Sequence, residues 1–429
     1  MRRMKDSTFD WIGKIPIDWK LYRGRYIFHQ RSEKGNKINL QLLSPTQQYG
    51  VIPQDEYDRI TGNRAVKLKE DTNLSQLKTI HNGDFCISLR SFQGGFEYSE
   101  NEGVVSPAYQ VFYPIMNVDR RYYKYLFKDT SFIEKMNSYT LSLRDGKNIS
   151  FFDFGNTYIP YPSVEDQKQI ADFLDKKCAE IDPLAAEIEK QISTLEAYKK
   201  SVITEAVTKG LNPNVPMKES GIEFIGKIPE HWTIKKIKYL GTVRNGLTYS
   251  PIDLCDKNEG TLVLRSSNIQ NGRIILDDNV YVSKSISSDL MVERGDILIC
   301  SRNGSKDLIG KNALIGDINA SFGAFMMIYR TQFPKYMCYV LNSGIFSYYL
   351  GTFFTSTINQ LTSSNFRNMV APFCLIESER NLITDFLDKK CAEIDAIILG
   401  KQQQLEVLTK YKKSLIYEYI TGKKEVPHE

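Results

Sequence analysis

The stretch DFLDKKCAEID occupies Asp172–Asp182 and recurs unchanged at Asp385–Asp395. The offset is 213 residues in a chain of 429, so the chain reads as one unit written twice. Two flanking matches keep that offset. FDWIGKIPIDW (Phe9–Trp19) matches IEFIGKIPEHW (Ile222–Trp232), and YKKSVITEAVT (Tyr198–Thr208) matches YKKSLIYEYIT (Tyr411–Thr421). Between these anchors, Lys20–Pro160 and Thr233–Pro372 differ in nearly every residue yet have almost equal lengths. One slip occurs: IPYPSVEDQ aligns with APFCLIESE at offset 212, so the second copy gains one residue before its helix. The order is short motif, variable segment, helix, twice over. Shared parts read as scaffold, and unshared parts are free to differ in what they touch.

A chain this long exceeds one ordinary core. Composition is globular, with 41% hydrophobic and 25% charged residues. No apolar run reaches the roughly 18 residues that a membrane span needs, and MRRMKDSTFDW lacks the apolar stretch of a secretory signal. These features lead us to expect a cytoplasmic protein. The seven cysteines form no CxxC pair and only four histidines occur, so no clustered zinc motif is legible. Cys178 and Cys391 hold the same place in the two repeats and read as small buried hydrophobes. Lys20–Pro160 carries 19 basic and 15 acidic residues, and Thr233–Pro372 carries 15 and 10. Positive charge thus collects in the variable segments, as expected if both meet phosphates. A duplicated architecture implies an approximate two-fold axis, and duplex DNA is the most abundant two-fold-symmetric partner in a cell.

The repeated stretches are helical in pattern. Leu174, Ile181, Ile188 and Leu195 in the first copy, and Leu387, Ile394, Leu405 and Leu408 in the second, fall on an apolar seam with heptad-like steps. Lys199 interrupts the first seam, and Lys401 and Lys412 the second. Ser163 with Asp166 can cap the first helix, and Gly210 and Gly422 sit at the helix ends. Pro183 stands where the second copy has Ala396; a mid-helix proline costs about 3 kcal/mol, so we expect a kink or break there. Each rod would be roughly 65 Å long. Two rods with one seam each most economically bury them on each other, antiparallel.

Both variable segments read as α/β: strands, a helical stretch, then a polar tail. Several loops are dense in side chains that read base edges. RSFQGG supplies Arg90, Ser91 and Gln93, directly after the apolar strand of GDFCISL. LRDGKNIS supplies Arg144, Lys147 and Asn148. In the second segment, Thr248, Arg265, Ser267 and Asn268 (from LRSSNIQNGR), Arg302, Asn303, Ser305 and Lys306 (from SRNGSKD), and Asn359 and Gln360 (from INQL) complete the candidate set. Arg pairs bidentately with guanine, Asn and Gln with adenine, and Ser or Thr with phosphates or either base. Any one of these loops could equally be a polar hairpin turn.

Catalytic signatures are scarce. GIEFIGKI (Gly221–Ile228) has the GxxxxGK of a phosphate loop but ends in Ile, so no hydroxyl would reach magnesium. Its counterpart TFDWIGKI lacks the first glycine. A connector packing Ile and Trp against the scaffold is the better reading. No GxGxxG, GxSxG, HExxH or adenine-methyltransferase tetrapeptide occurs.

The doubled FIGxIPxHW-like opening, the two variable segments and the paired FLDxKxxxID helices resemble a type I restriction–modification specificity subunit. LRSSNIQNG, GDILICSRNGS and INQLTSSNF are similar to strings of that family's target recognition domains. The resemblance implies an α/β fold with a pseudo-two-fold internal repeat: two target recognition domains joined by two long antiparallel coiled-coil helices. Its parts would be recognition domain 1 (1–162), helical spacer 1 (163–210), recognition domain 2 (211–374) and helical spacer 2 (375–429). The implied role is non-catalytic: each domain reads one half of an asymmetric, split DNA site at fixed spacing. Two methyltransferase subunits and restriction/translocase subunits would dock on it and carry S-adenosylmethionine, ATP and magnesium, leaving this chain without cofactor or metal. Two other classes compete with this reading. One is a coiled-coil scaffold that binds only proteins, which site-independent DNA binding would favour; the other is a nucleotide-using enzyme, which nucleotide binding at GIEFIGKI would favour.

Overall fold

The heptad-like stretches fold as two long helices, Val164–Lys209 and Glu377–Ile420, of 46 and 44 residues. The computed structural model describes residues 2–35, 41–62, 76–87, 95–139, 149–353 and 360–427. The chain divides into two units. One comprises Met1–Ile188 with Gln403–Glu429, the other Glu189–Gln402. Each long helix is therefore shared between the two units.

Inside the first unit the two helix halves run antiparallel: Phe173 stacks near Tyr419 with ring centroids 4.4 Å apart, and Asp182 bonds Lys412 at 2.5 Å. Inside the second, Lys199 bonds Asp395 at 2.7 Å. These ion pairs are one interaction written twice, since Asp182 and Asp395, and Lys199 and Lys412, differ by 213. The lysines that interrupt the apolar seam are thus matched to the last residue of the repeated DFLDKKCAEID. Leu174, Ile181, Leu387 and Ile394 are buried, whereas Ile188, Leu195, Leu405 and Leu408 are half-buried. The difference follows from what covers them. Near the α/β cores three layers meet, but toward the helix middles one helix covers only one stripe.

Of the kink or break expected at Pro183, the break does not occur: the helix is continuous through it. Pro183 and Ala179, whose carbonyl loses its amide partner, are both exposed. Water can take that carbonyl, so the lost bond leaves no buried polar group.

Each unit places a four-stranded antiparallel sheet beside its helices. In the first unit the spatial order is Phe28–Gln30, Gln110–Pro114, Phe85–Ile87, Phe96–Tyr98. In the second it is Gly241–Asn245, Met326–Thr331, Ile297–Cys300, Asn312–Leu314. Taken by position in the chain, the two orders are the same. Each central strand is entered through a turn with a left-handed glycine, Gly83 (φ +87) or Gly295 (φ +90). The aspartate that follows, Asp84 or Asp296, accepts the backbone N–H three residues back and an arginine fork, Arg31 or Arg330. The second unit adds another four-stranded sheet, in which Thr261–Leu264 pairs in parallel with Ala320–Phe322.

The identical residues turn out to be anchoring points. Asp175 and Asp388 accept from Tyr125 and Tyr339 at 2.7 and 2.6 Å, docking each sheet's following helix on a long helix. Gln167 and Arg380, also 213 apart, each donate to the carbonyl just beyond a strand, that of Pro162 (3.0 Å) or Cys374 (2.7 Å). The IGKIP motifs form hairpins, Met4–Asp6 with Lys14–Pro16 and Met217–Glu219 with Lys227–Pro229. Ile12, Ile15 and Trp19 share a core with Leu415, Tyr419 and Ile420. Ile225, Ile228 and Trp232 share one with Ile203, Ala206 and Val207. The N-terminal hairpin therefore covers the end of the last helix, and Lys423 Nζ donates to the Ile12 carbonyl at 2.7 Å.

This settles GIEFIGKI as a connector. A phosphate loop leads from a strand into a helix, but Gly221–Ile228 turns from one strand into its hairpin partner and buries Ile225 and Ile228. Cys178 and Cys391 are buried thiols, as expected.

Candidate nucleic-acid interface

In the second unit, loops far apart in sequence are drawn together by the turn at Gly323–Phe325. Gly323 bridges Leu247 and donates its N–H to the Leu264 carbonyl at 2.9 Å. The Phe325 carbonyl accepts from the N–H groups of Ser301 (2.9 Å) and Arg302 (3.2 Å). Ser301 in turn accepts from Leu361 N–H at 2.8 Å, and Arg302 bridges Gln360. Asn303 Nδ2 reaches Ser266 Oγ at 3.2 Å, tying the SRNGSKD loop to the LRSSN turn. So Thr248, Ser267, Arg302, Ser305, Lys306 and Gln360 belong to one cluster of loops. All but the half-buried Gln360 are exposed.

The chain can close this cluster because glycines let backbones touch. A Cβ on Gly246 would lie 2.1 Å from the Gly323 carbonyl oxygen, so only glycine fits. The arginine of the cluster is held in the open by an aromatic: the Arg302 guanidinium lies 5.4 Å from the Phe325 ring centroid, and that ring is 59% exposed. Phe325 was not singled out from the sequence, where GAFMMIYR reads simply as a strand. Its only signal was an aromatic two residues after a glycine, where the strand begins.

Three candidates do structural work instead. Asn268 is buried; its Oδ1 accepts from Arg265 N–H at 2.9 Å and its Nδ2 donates to the Ile275 carbonyl at 3.0 Å. With both amide ends used inside the turn, it cannot read a base edge. Arg265 is half-buried and its guanidinium bonds Asp278 at 2.8 Å. Asn303 closes an Asx turn on Ser305 N–H at 3.0 Å as well as reaching Ser266. For the two asparagines the reason is shared: short amides satisfy nearby backbone before they can reach outward; Arg265 is instead engaged by the Asp278 carboxylate. Arg90, Ser91, Gln93, Arg144, Lys147, Asn148 and Asn359 lie outside the described residues.

Burial perturbs few groups here. It raises the pKa of Cys300, beneath the loop cluster, which reads as packing. Arg330 is held charged by its bond to Asp296, which fixes the turn opening the central strand. No helix among the described residues is long and apolar enough to cross a membrane.

Two α/β units whose sheets share one strand order, with helices repeating the same anchors, define an internally duplicated protein. Comparison with known proteins places it further. Residues 16–194 match the family of the type I restriction modification DNA specificity domain. Over 431 residues the chain is 24% identical to the type I restriction enzyme MjaVIII specificity subunit of Methanocaldococcus jannaschii, covering 96% of this chain and 94% of that one. It is 25% identical over 206 residues to the EcoKI specificity subunit of Escherichia coli K12, covering 46% and 44%. A chain from a solved structure on complex assembly and conformational transition of the type I R-M system shares the fold. Its TM-score is 0.61 and its identity 14%, covering 95% of this chain and 98% of that one. The family likeness expected from the sequence, and the α/β class with two long helices, therefore hold.

Proposed function

We propose that this chain is the DNA-recognition subunit of a type I restriction–modification complex. Each α/β unit reads one half of a bipartite, non-palindromic site, and the paired helices set the gap. One observation carries the reading: the same sheet and helix anchors are built twice, while the loops gathered at Gly323–Phe325 carry exposed Arg302 and Lys306 and half-buried Gln360, in sequence that the other copy does not repeat. A conserved frame with divergent polar loops is what two readers of different half-sites need. Arg302 suits guanine, Gln360 suits adenine, and Lys306, Ser305, Ser267 and Thr248 suit phosphates.

The chain itself performs no chemistry in this reading. Two methyltransferase subunits, bringing S-adenosylmethionine, and restriction/translocase subunits, using ATP and magnesium, dock on the helical scaffold. The assembly works in the cytoplasm, where chromosomal DNA is its substrate. The target adenine would be extruded from the stack by the methylating partner.

Mapping adenine methylation across the genome of a strain expressing this chain with its partner subunits tests the proposal. A single split, asymmetric motif is the expected result. Binding of the reconstituted complex without any site preference would favour a protein-only scaffold instead. Inserting one heptad within Glu187–Lys200 should lengthen the gap or abolish binding, and unchanged spacing would refute the ruler.

A further inference from the structure

We propose that His231, Cys374 and Glu379 form a binding site for a divalent cation of the zinc class. The ion would staple the second unit's hairpin to the start of its long helix. The ligand atoms of the three side chains all lie within 4.8 Å of one another. His231 Nε2 is 2.7 Å from Glu379 Oε2, and Cys374 Sγ is 3.1 Å from the same oxygen. Metal–ligand bonds of about 2.0–2.3 Å in a tetrahedron separate ligand atoms by roughly 3.3–3.6 Å. The two close pairs would have to open by about half an ångström and the His231–Cys374 pair to close by up to about 1.3 Å, which side-chain rotation can supply, leaving a fourth position for water.

The other repeat supplies the strongest argument. Asp166 and Glu379 are equivalent at offset 213, as are Asp18 and His231. In the first unit this place already holds a cation. Arg2 reaches Asp18 at 2.8 Å and Asp166 at 3.0 Å, so a guanidinium joins the end of the hairpin to the first turn of the helix. The position equivalent to Arg2 is Val215, so the second repeat does not repeat this cation. What it has instead is nitrogen, sulfur and carboxylate. The one-residue gain in the loop between the Val370–Phe373 strand and the long helix places the buried thiol of Cys374 there, where the first repeat has Pro162.

Ligand chemistry and support agree. A thiolate, a carboxylate and a neutral imidazole bring two negative charges, so a divalent ion is neutralised in place. Their mix of soft and hard donors suits zinc rather than magnesium or calcium. Trp232 Nε1 donates to Glu379 Oε1 at 3.0 Å, leaving Oε2 for the metal and orienting it as outer-shell partners do. His231 is exposed and offers a way in. On binding, the Cys374 S–H bond breaks and a metal–sulfur bond forms, with the proton leaving to solvent. The His231 proton relocates from Nε2 to Nδ1 through water, and its bond to Glu379 is exchanged for one to the ion.

The test uses the full chain, stripped with a chelator and titrated with zinc and, in parallel, cobalt(II). We expect one ion per chain, a higher Tm with metal, and a sulfur-to-cobalt charge-transfer band. Cys374→Ser should abolish the band, and His231→Ala, at an exposed position, should abolish stoichiometric binding while leaving far-UV circular dichroism unchanged. No stoichiometric uptake, or uptake that survives both substitutions, overturns the site and leaves a hydrogen-bonded network only. The readout needs no DNA or partner subunit, so it stands apart from the recognition function.

Discussion

The two units solve the same packing problem with different polar chemistry, even around a shared anchor. In the first unit Glu97, on the strand Phe96–Tyr98, is buried and bonds Lys128 at 2.6 Å, while its Oε1 has no partner among the described residues. In the second, the corresponding strand carries Asn312, buried and bonded to Asn342 (2.8 Å), the Gly310 carbonyl (3.0 Å) and the Leu341 carbonyl (3.1 Å). One site is a lysine–carboxyl pair with an unmet acceptor among the described residues, and the other a saturated amide network. Trp232 gives its indole N–H to Glu379, while the equivalent Trp19 Nε1 has no acceptor among the described residues because Asp166, one methylene shorter, is turned to Arg2. A duplicated fold thus keeps its geometry fixed while buried polar pairs drift, provided each drift preserves the local packing.

The largest expected effect tests whether the units are independent. Exchanging Lys20–Pro160 for the equivalent segment of another such protein should replace one half of the methylated motif and leave the other intact. If both halves changed together, the two units would not be separate readers.

Next in size is the loop cluster. Arg302→Ala should relax preference at one base pair, with about 1–3 kcal/mol of discrimination lost. Phe325→Ala, which removes the ring beside the guanidinium, should weaken the same position less. Competition binding against every substitution of the half-site reads both. Lys306→Ala, by contrast, should weaken all sequences alike and flatten the salt dependence.

A smaller effect separates the two buried polar pairs. Burial raises the Glu97 carboxyl from an ordinary 4.5 to about 7, against the lowering influence of Lys128. The folded state then holds a proton that the unfolded chain has released across that window. Stability contributed by this group is present below pH 4.5 and is lost as pH rises through about 7. Glu97→Gln should remove that component from the Tm–pH profile. An unchanged profile would mean that Glu97 is ionised throughout.

The smallest concerns the tryptophans. Asp166→Glu lengthens the carboxylate so that it can accept from Trp19 as Glu379 does from Trp232. Net stabilisation should be roughly 0.5–1.5 kcal/mol, as for a typical hydrogen bond. Denaturant unfolding with no gain in midpoint would show that Arg2 holds the longer side chain away as well.

Much of this was legible because identical residues mark identical duties. Asp175 and Asp388, Leu174 and Leu387, and Trp19 and Trp232 recur since each repeat must dock a sheet, a helix and a hairpin on a long rod. The GD turn before each central strand was visible as GDFCISL and GDILICS, though not its arginine clasp. Less legible was the use of polar loop residues. Asn268 and Arg302 look alike as candidate base readers, but one closes a turn and the other stands exposed. The break expected at Pro183 failed for a related reason: propensity weighs a lost hydrogen bond without knowing which face of the helix meets water.

Sequence by itself determined the duplication, the two long helices, the α/β class and the regions free to vary, because these rest on periodicity and repetition along the chain. Tertiary structure alone decided which loops meet at Gly323–Phe325, which amides are consumed internally, and that His231, Cys374 and Glu379 converge. Such convergence depends on contacts between residues as many as 148 positions apart. No local pattern records it.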